Sequence, residues 1–221
     1  MVAARLQGRL VAFARFAHAA ADPLDPDRFE VCFLQPKRRP ETRLALRPAG
    51  PGDGEALQSY FRGLSPQSRY NRFLGAANEL PPSELARTLA ANGRDTLSLL
   101  LTWTTGNRET VVGEARAAFA CEERAGEVSL SIADDWRRLG VGAALLGEIE
   151  RRAAADGVEW LSGDVLRTNE GMIALALSRG FRLGDGLEGR LLRIEKRLDA
   201  APNLPCRRWA EAAAGDALRM A

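Results

Sequence analysis

The sequence predicts an α/β protein, in which a mixed, mostly antiparallel sheet of about six to seven strands carries helices on both faces. Three observations lead to this fold class. Strand-like runs follow one another at 96–104, 110–120 and 127–133, divided by turn residues. Helical and strand-like patterns then alternate up to residue 198. Three short helical patterns come before the central strands.

The chain divides into a central domain and two flanking segments. Residues 1–42 are interpreted as an extension, with an Ala-rich helix over 3–21 and a proline-containing linker, and as a candidate segment for homodimer formation. The domain is expected over residues 43–199, and a short tail over 200–221. A chain of 221 residues is long enough for one domain with a proper core.

Capping residues place the first helices of the domain. Alternating polar and apolar residues over 43–48 predict a strand. Asp53 and Ser83 are expected to cap the first and third helices, and Ser65 followed by Pro66 to begin the second. The remaining elements are expected as helices over 140–155 and 169–179 and as strands over 158–166 and 191–198.

Composition excludes several functional classes. A formal net charge of +2 argues against a nucleic-acid-binding protein. The cysteines Cys32, Cys121 and Cys206 are far apart, and with His18 as the single histidine no metal site is expected. No apolar run approaches the roughly 20 residues of a transmembrane helix, so no membrane association and a cytoplasmic location are expected.

A glycine-containing turn between a strand and a helix carries the clearest functional signal. Gly140 and Gly142 stand where the helix begins, and Arg137 and Arg138 precede them. Helix N-termini expose unpaired N–H groups, and glycine lets a phosphate approach them closely. A tight connection is the other interpretation. A dinucleotide site is rejected because Leu145 occupies the position of its third glycine.

At these residues the sequence resembles the GCN5-related N-acetyltransferase (GNAT) superfamily. Residues 137–142, Arg-Arg-Leu-Gly-Val-Gly, match its (Gln/Arg)-x-x-Gly-x-(Gly/Ala) acetyl-CoA signature. Residues 169–181, from Asn169 to a Gly-Phe pair, resemble a second family segment about 30 residues further on. The resemblance runs from about residue 43 to residue 198. It implies the GNAT fold and acetyl-CoA as the cofactor.

Within the superfamily, the chain resembles most the catalytic domain of bacterial protein lysine acetyltransferases of the Pat type. The matching segments are 64–73, 112–116, and Glu127 together with 133–136. The resemblance implies direct transfer of an acetyl group from acetyl-CoA to an amine acceptor, either a protein lysine or a small molecule. The alternative is a catalytically silent acetyl-CoA sensor.

The resemblance also implies how the cofactor is held. An amide N–H of Ile132 or Ala133 is expected to polarise the thioester carbonyl, and Asn169 either binds the pantetheine arm or caps its helix. Ala176 stands where many relatives carry a tyrosine acid. The implied cofactor-binding residues are Ile132, Ala133, Arg137, Arg138, Leu139, Gly140, Val141, Gly142, Ala143 and Asn169.

Two glutamates are candidate general bases. An acceptor amine with a pKa near 10.4 arrives protonated and must lose a proton before attack. Glu127 matches the Pat-type glutamate and lies on the polar face of its strand, with a solvated surface residue as the alternative. Glu114 is second, with a surface ion pair to Arg116 or Arg94 as the alternative.

Overall fold

A computed structural model describes most of the central domain and two short strands before it. The residues described are 16–18, 31–33, 43–74, 77–90, 96–120, 123–186 and 188–198. Strands β1 (Phe16–His18) and β2 (Val31–Phe33) form a small antiparallel sheet. The helix predicted over 3–21 is therefore wrong at 16–18, because pairing with a distant segment overrides the helix propensity of the Ala-rich sequence. The rest of that helix and the linker lie outside the described residues, and the predicted domain boundaries stay predictions.

A seven-stranded sheet carries the domain, with strand order β3-β4-β5-β6-β7-β9-β8. Its strands are β3 (Arg43–Pro48), β4 (Thr96–Thr105), β5 (Arg108–Ala120), β6 (Ala125–Ile132), β7 (Trp160–Leu166), β8 (Arg182–Asp185) and β9 (Leu191–Arg197). All neighbouring strands pair antiparallel except β6 and β7, which pair parallel. The predicted mixed, mostly antiparallel sheet is confirmed.

Five α-helices are present among the described residues. They are α1 (Gly54–Gly63), α2 (Pro66–Phe73), α3 (Pro82–Leu89), α4 (Val141–Ala155) and α5 (Glu170–Ser178). None of these helices is long and apolar enough to cross a membrane.

Two hydrophobic clusters place helices on both faces of the sheet. One cluster includes Leu145 and Ile149 of α4 and Leu161 of β7, all fully buried. The other includes Phe61 of α1 and Leu100 of β4. Because β4 contributes to both clusters through alternate residues, the sheet lies between the two helical layers, as predicted.

The parallel pair β6 and β7 separates part way along its length. The two strands pair only over Ala125–Glu127 of β6 and the facing residues of β7. Strand β6 continues to Ile132 beside β5, and β7 continues to Leu166 beside β9. A gap therefore opens in the sheet beyond Glu127, and it lies next to the end of β6 that leads into the glycine turn.

Some local predictions were wrong. The side chain of Asp53 does not cap α1, because it accepts hydrogen bonds from Arg47 and from the Gly50 amide. Helix α3 begins at Pro82, so Ser83 lies inside it and is not its cap. Ser65 does cap α2, since its hydroxyl accepts from the Ser68 amide, so that prediction is confirmed.

Strand β8 was not predicted. All four of its residues are exposed, so it lacks the alternation of apolar side chains that marks a half-buried strand. It forms through backbone pairing with β9 at the edge of the sheet.

Candidate active site

Two left-handed residues shape the turn between β6 and α4. The chain leaves β6 through a 3-10 turn whose Trp136 is buried against Trp103, with ring centroids 5.3 Å apart. Arg138 then has φ +59° and Gly140 has φ +83°. A Cβ at Gly140 would meet no atom within 4 Å, so the backbone conformation and not crowding requires glycine there. The space beside this glycine is open.

Unpaired amides stand at the start of α4. Gly140 is the N-cap residue, and no side chain among the described residues caps this helix. The Ala144 amide donates to the Gly140 carbonyl at 3.1 Å, so the amides of Val141, Gly142 and Ala143 precede it in the first turn. Such a turn attracts anions through its free N–H groups and the helix dipole. These amides therefore fit the diphosphate of coenzyme A.

The first arginine of the signature is exposed but bound by three groups of the protein. Arg137 donates through Nη2 to the Ser68 hydroxyl at 2.6 Å and through Nε to the Ile132 carbonyl at 3.4 Å. Its Nη1 pairs with the Asp134 carboxylate at 2.9 Å. Arg138 is exposed at the turn. Both arginines are exposed, and they differ in that the Arg137 guanidinium joins the turn to α2 through Ser68.

Asp134 sits at the centre of these contacts. Burial acts to raise the pKa of its carboxyl group, but hydrogen bonds from the Ser65 amide and the Ser68 hydroxyl, together with the Arg137 charge, outweigh burial and lower that pKa. Asp134 is therefore a stable anion that accepts from several donors at once.

The gap between β6 and β7 exposes backbone donors. The Ala133 amide donates to the Val112 carbonyl of β5 at 2.9 Å. Because amides alternate in direction along an antiparallel strand, those of Leu130 and Ile132 point the other way, toward β7, beyond the end of its ladder. Of the two predicted donors, Ile132 faces the gap and Ala133 does not. Leu130 is a donor that sequence reasoning missed.

Glu127 lies at the closed end of the gap. It is the last residue of β6 that pairs with β7, where it faces Ser162, and its side chain is exposed. The solvent exposure that the alternative interpretation expected is thus present, and the role of Glu127 as a base stays a prediction. A strand rises about 3.3 Å per residue, so the Cα atoms of Glu127 and Leu130 are about 10 Å apart.

Glu114 is buried, which contradicts its predicted surface alternative. Arg72 of α2 donates to it through Nε at 2.7 Å, and the Ser131 hydroxyl donates to the same oxygen at 2.8 Å. The predicted partner Arg116 pairs with a carboxylate of α3, and Arg94 lies outside the described residues. Glu114 is 7% exposed because α2 covers β5 at this point.

A small cavity adjoins the Glu114 pair. The Tyr60 hydroxyl hydrogen-bonds to Ser131 at 2.9 Å, and burial raises the pKa of the Tyr60 phenol. The cavity offers about 10 Å³ to the centre of a water molecule, which suffices for about one water and not for a lysine side chain. Its walls are Leu57, Tyr60, Phe61, Arg72, Phe73, Leu80, Thr88, Glu114 and Ser131. This cavity is therefore no acceptor pocket.

The N-terminus of α5 uses Asn169 as its cap. The Asn169 side-chain oxygen accepts from the Met172 amide at 3.2 Å, as the capping interpretation expected. Ala176 of the same helix is fully buried in the core. The position of the tyrosine acid in many relatives thus offers no proton donor in this chain.

The structure thus combines a mixed sheet, in which β6 and β7 separate, with a glycine turn at the start of α4. A model of the acetyltransferase (GNAT) family matches residues 66–181, more than half of the chain. The chain is 28% identical to "Acetyltransferase PA5475" of Pseudomonas aeruginosa over 136 residues, 62% of this chain and 73% of that protein. The chain belongs to the GNAT acetyltransferase family.

Solved structures share the fold. The GNAT domain of S. lividans PAT superposes with a TM-score of 0.65 at 24% identity, over 70% of this chain and 90% of that one. The PaiA N-acetyltransferase of Thermoplasma acidophilum, solved in complex with coenzyme A, gives 0.56 at 19% identity, over 70% and 98%. The family membership makes this chain an acetyl-CoA-dependent N-acetyltransferase.

Proposed function

We propose that the enzyme acetylates the side-chain amine of a protein lysine, with Glu127 as the general base. The observation that carries the proposal is the first turn of α4 beside the gap between β6 and β7, where no described side chain caps the helix that begins with Val141, Gly142 and Ala143. The resemblance of the sequence motifs to Pat-type enzymes supports lysine as the acceptor. A small amine is the second candidate acceptor. The homodimer predicted from the sequence stays a prediction.

The residues that would hold acetyl-CoA are those whose backbone N–H groups point into the first turn of α4 or into the gap between β6 and β7. The amides of Val141, Gly142 and Ala143 would bind the diphosphate, with the exposed Arg138 adding positive charge. When bound, acetyl-CoA supplies the acetyl group as a reactive thioester. The amide of Leu130 or Ile132 would donate to the thioester oxygen as negative charge develops there, an interaction typically worth about 3 kcal/mol.

Glu127 suits proton removal better than Glu114. The Glu127 carboxylate is exposed at the end of the gap, where an incoming ammonium group can reach it. The Glu114 carboxylate is buried and already bound by Arg72 and Ser131, so an incoming ammonium group does not reach it. The geometry therefore supports Glu127 as the base and Glu114 as an anchor for α2.

The test is turnover by Glu127→Gln. The enzyme is incubated with acetyl-CoA and a panel of lysine-bearing proteins and small amines, and free thiol and acetylated product are measured. Loss of the base should lower kcat about 100- to 10,000-fold while the Kd for coenzyme A stays unchanged. Glu195→Gln is the matched control, since Glu195 is exposed on β9 opposite Ser162 and should leave kcat unaltered.

Three outcomes separate the candidate functions. Product on lysine side chains supports the proposal, whereas product on small amines alone favours the second acceptor class. Coenzyme A binding without turnover on any acceptor would identify the silent sensor and contradict the proposed activity. Wild-type kcat in Glu127→Gln would remove Glu127 as the base.

A further inference from the structure

Four residues join the glycine turn, where coenzyme A is proposed to bind, to the start of α2. We call the set Ser65, Ser68, Asp134 and Arg137 the turn latch. The Ser65 amide donates to Asp134 Oδ2 at 2.9 Å, and the Ser68 hydroxyl donates to Asp134 Oδ1 at 2.7 Å. The Arg137 guanidinium donates to Ser68 and pairs with Asp134. The latch thus connects segments almost 70 residues apart in sequence.

The latch is built around a buried hydroxyl. Ser68 is 2% exposed, and its Oγ accepts from Arg137 while it donates to Asp134. The hydroxyl thus binds a cation and an anion at the same time. Because a guanidinium can only donate and a carboxylate can only accept, the direction of both hydrogen bonds is fixed. The Asp134 and Arg137 side chains are themselves 35% and 44% exposed, so their direct ion pair alone would be a weak tether. Ser68 supplies the buried part of the connection.

The turn needs such support because its backbone is unfavourable. Arg138 adopts a left-handed conformation that only glycine adopts without cost, and it directly follows Arg137. Two residues later Gly140 is left-handed as well, and it leads into the amides of α4. Because Ser68 and Asp134 hold the Arg137 side chain, they also restrict the backbone that leads to these amides.

We propose that Ser68 and Asp134 are positioning residues for acetyl-CoA, which act through Arg137 to hold the amides of α4 in the geometry that binds the diphosphate. The inference rests on the proposed placement of the diphosphate at the amides of Val141, Gly142 and Ala143. It assigns Arg137 to the support of the turn and not to contact with phosphate. Ser68 and Asp134 have no role in proton transfer.

The test is coenzyme A affinity measured by titration calorimetry for Ser68→Ala and Asp134→Asn. Each change should weaken the Kd about tenfold, which corresponds to about 1.4 kcal/mol and to the loss of one charge-assisted hydrogen bond. The double variant should bind about as weakly as the weaker single variant, because both changes act through Arg137. The KM for S-acetylpantetheine as donor should stay within about twofold of wild type, since that donor lacks the diphosphate.

Matched controls separate positioning from loss of stability. Ser98→Ala changes another fully buried serine, and Asp53→Asn changes another aspartate that accepts from an arginine and a backbone amide. Both should leave the Kd for coenzyme A within about twofold of wild type, whatever they do to the melting temperature. If one latch variant fails to fold, the other still decides.

The outcomes are distinct. Wild-type affinity for coenzyme A in the folded latch variants would overturn the proposal. An increase in the KM for S-acetylpantetheine as large as the increase in the Kd for coenzyme A would overturn it as well. If the wild-type protein bound no coenzyme A, the proposed function would be contradicted first, and the latch with it.

Discussion

Gly140 and Gly142 lie two residues apart in the turn and are glycine for different reasons. Gly140 has φ +83°, and a side chain there would strain the backbone although space is available. Gly142 lies in the first turn of α4, where a Cβ would approach the Leu175 side chain to 3.3 Å and the Ile132 side chain to 3.7 Å. The end of a leucine side chain can adjust, so alanine is tolerable at Gly142 and not at Gly140.

Alanine substitutions at the two glycines should therefore differ. Gly140→Ala should destabilise the protein by about 1–2 kcal/mol because it places a side chain in a left-handed conformation. It should also weaken coenzyme A binding, since the amides that follow would shift. Gly142→Ala should change stability by less than about 1 kcal/mol, because gained helix propensity offsets the close contact.

Thermal unfolding and calorimetry with coenzyme A would measure both variants. Equal effects of the two changes would contradict the distinction, and stabilisation by Gly140→Ala would show that the left-handed backbone is not required.

Residue roles were predictable from sequence only where the contacts are local. The capping role of Asn169 is set by a bond three residues along the chain, and it was among the interpretations of the sequence. The bond between Ser68 and Arg137 spans 69 residues, and no spacing rule reports it. The burial of Glu114 depends in the same way on Arg72, which lies 42 residues before it.

At the scale of elements, polar contacts hold both ends of α2. Its N-terminus is held by the turn latch, and its last turn by the ion pair between Arg72 and Glu114. The Arg72 and Glu114 side chains are only 11% and 9% exposed. The helix therefore has a fixed position between the cofactor turn and the polar face of β5 and β6.

Breaking the buried ion pair between Arg72 and Glu114 should destabilise the protein strongly. Glu114→Gln leaves the Arg72 guanidinium buried without its counter-charge, so the free energy of unfolding should fall by about 3–5 kcal/mol. The exposed pair of Glu55 with Arg62 provides the control, and Glu55→Gln should cost less than about 1 kcal/mol. Urea unfolding measures both changes.

A second variant tests the cause. Replacing Arg72 and Glu114 together by methionine removes both charges and should recover much of the lost stability. A double variant as unstable as Glu114→Gln alone would show that packing, and not the unpaired charge, sets the cost.

Boundaries of elements were predictable where a cap or a glycine marks them. Helix α4 was expected over 140–155 and begins one residue later, after its glycine N-cap. Strand β8 was missed because its stability comes from pairing with β9 and not from its own pattern. The strand at 16–18 replaced a predicted helix for the same reason, since its partner lies at 31–33.

For the whole molecule, element order sufficed to predict the fold class, and the glycines marked the turn for which phosphate binding is proposed. The gap in the sheet was not predictable, because it depends on where β6 and β7 stop pairing, at Glu127 and Ser162. Beyond that point the amides of Leu130 and Ile132 face away from β5, and Ile132 lies close to Gly142 in the first turn of α4.

The central claim is that the first amides of α4 bind the diphosphate of coenzyme A. Amide hydrogen exchange, followed residue by residue with and without coenzyme A, tests it most directly. The account predicts that exchange slows at Val141, Gly142 and Ala143 when coenzyme A is added, and is unchanged by pantetheine, which lacks the diphosphate. Unaltered exchange at these three amides in the presence of saturating coenzyme A would contradict it.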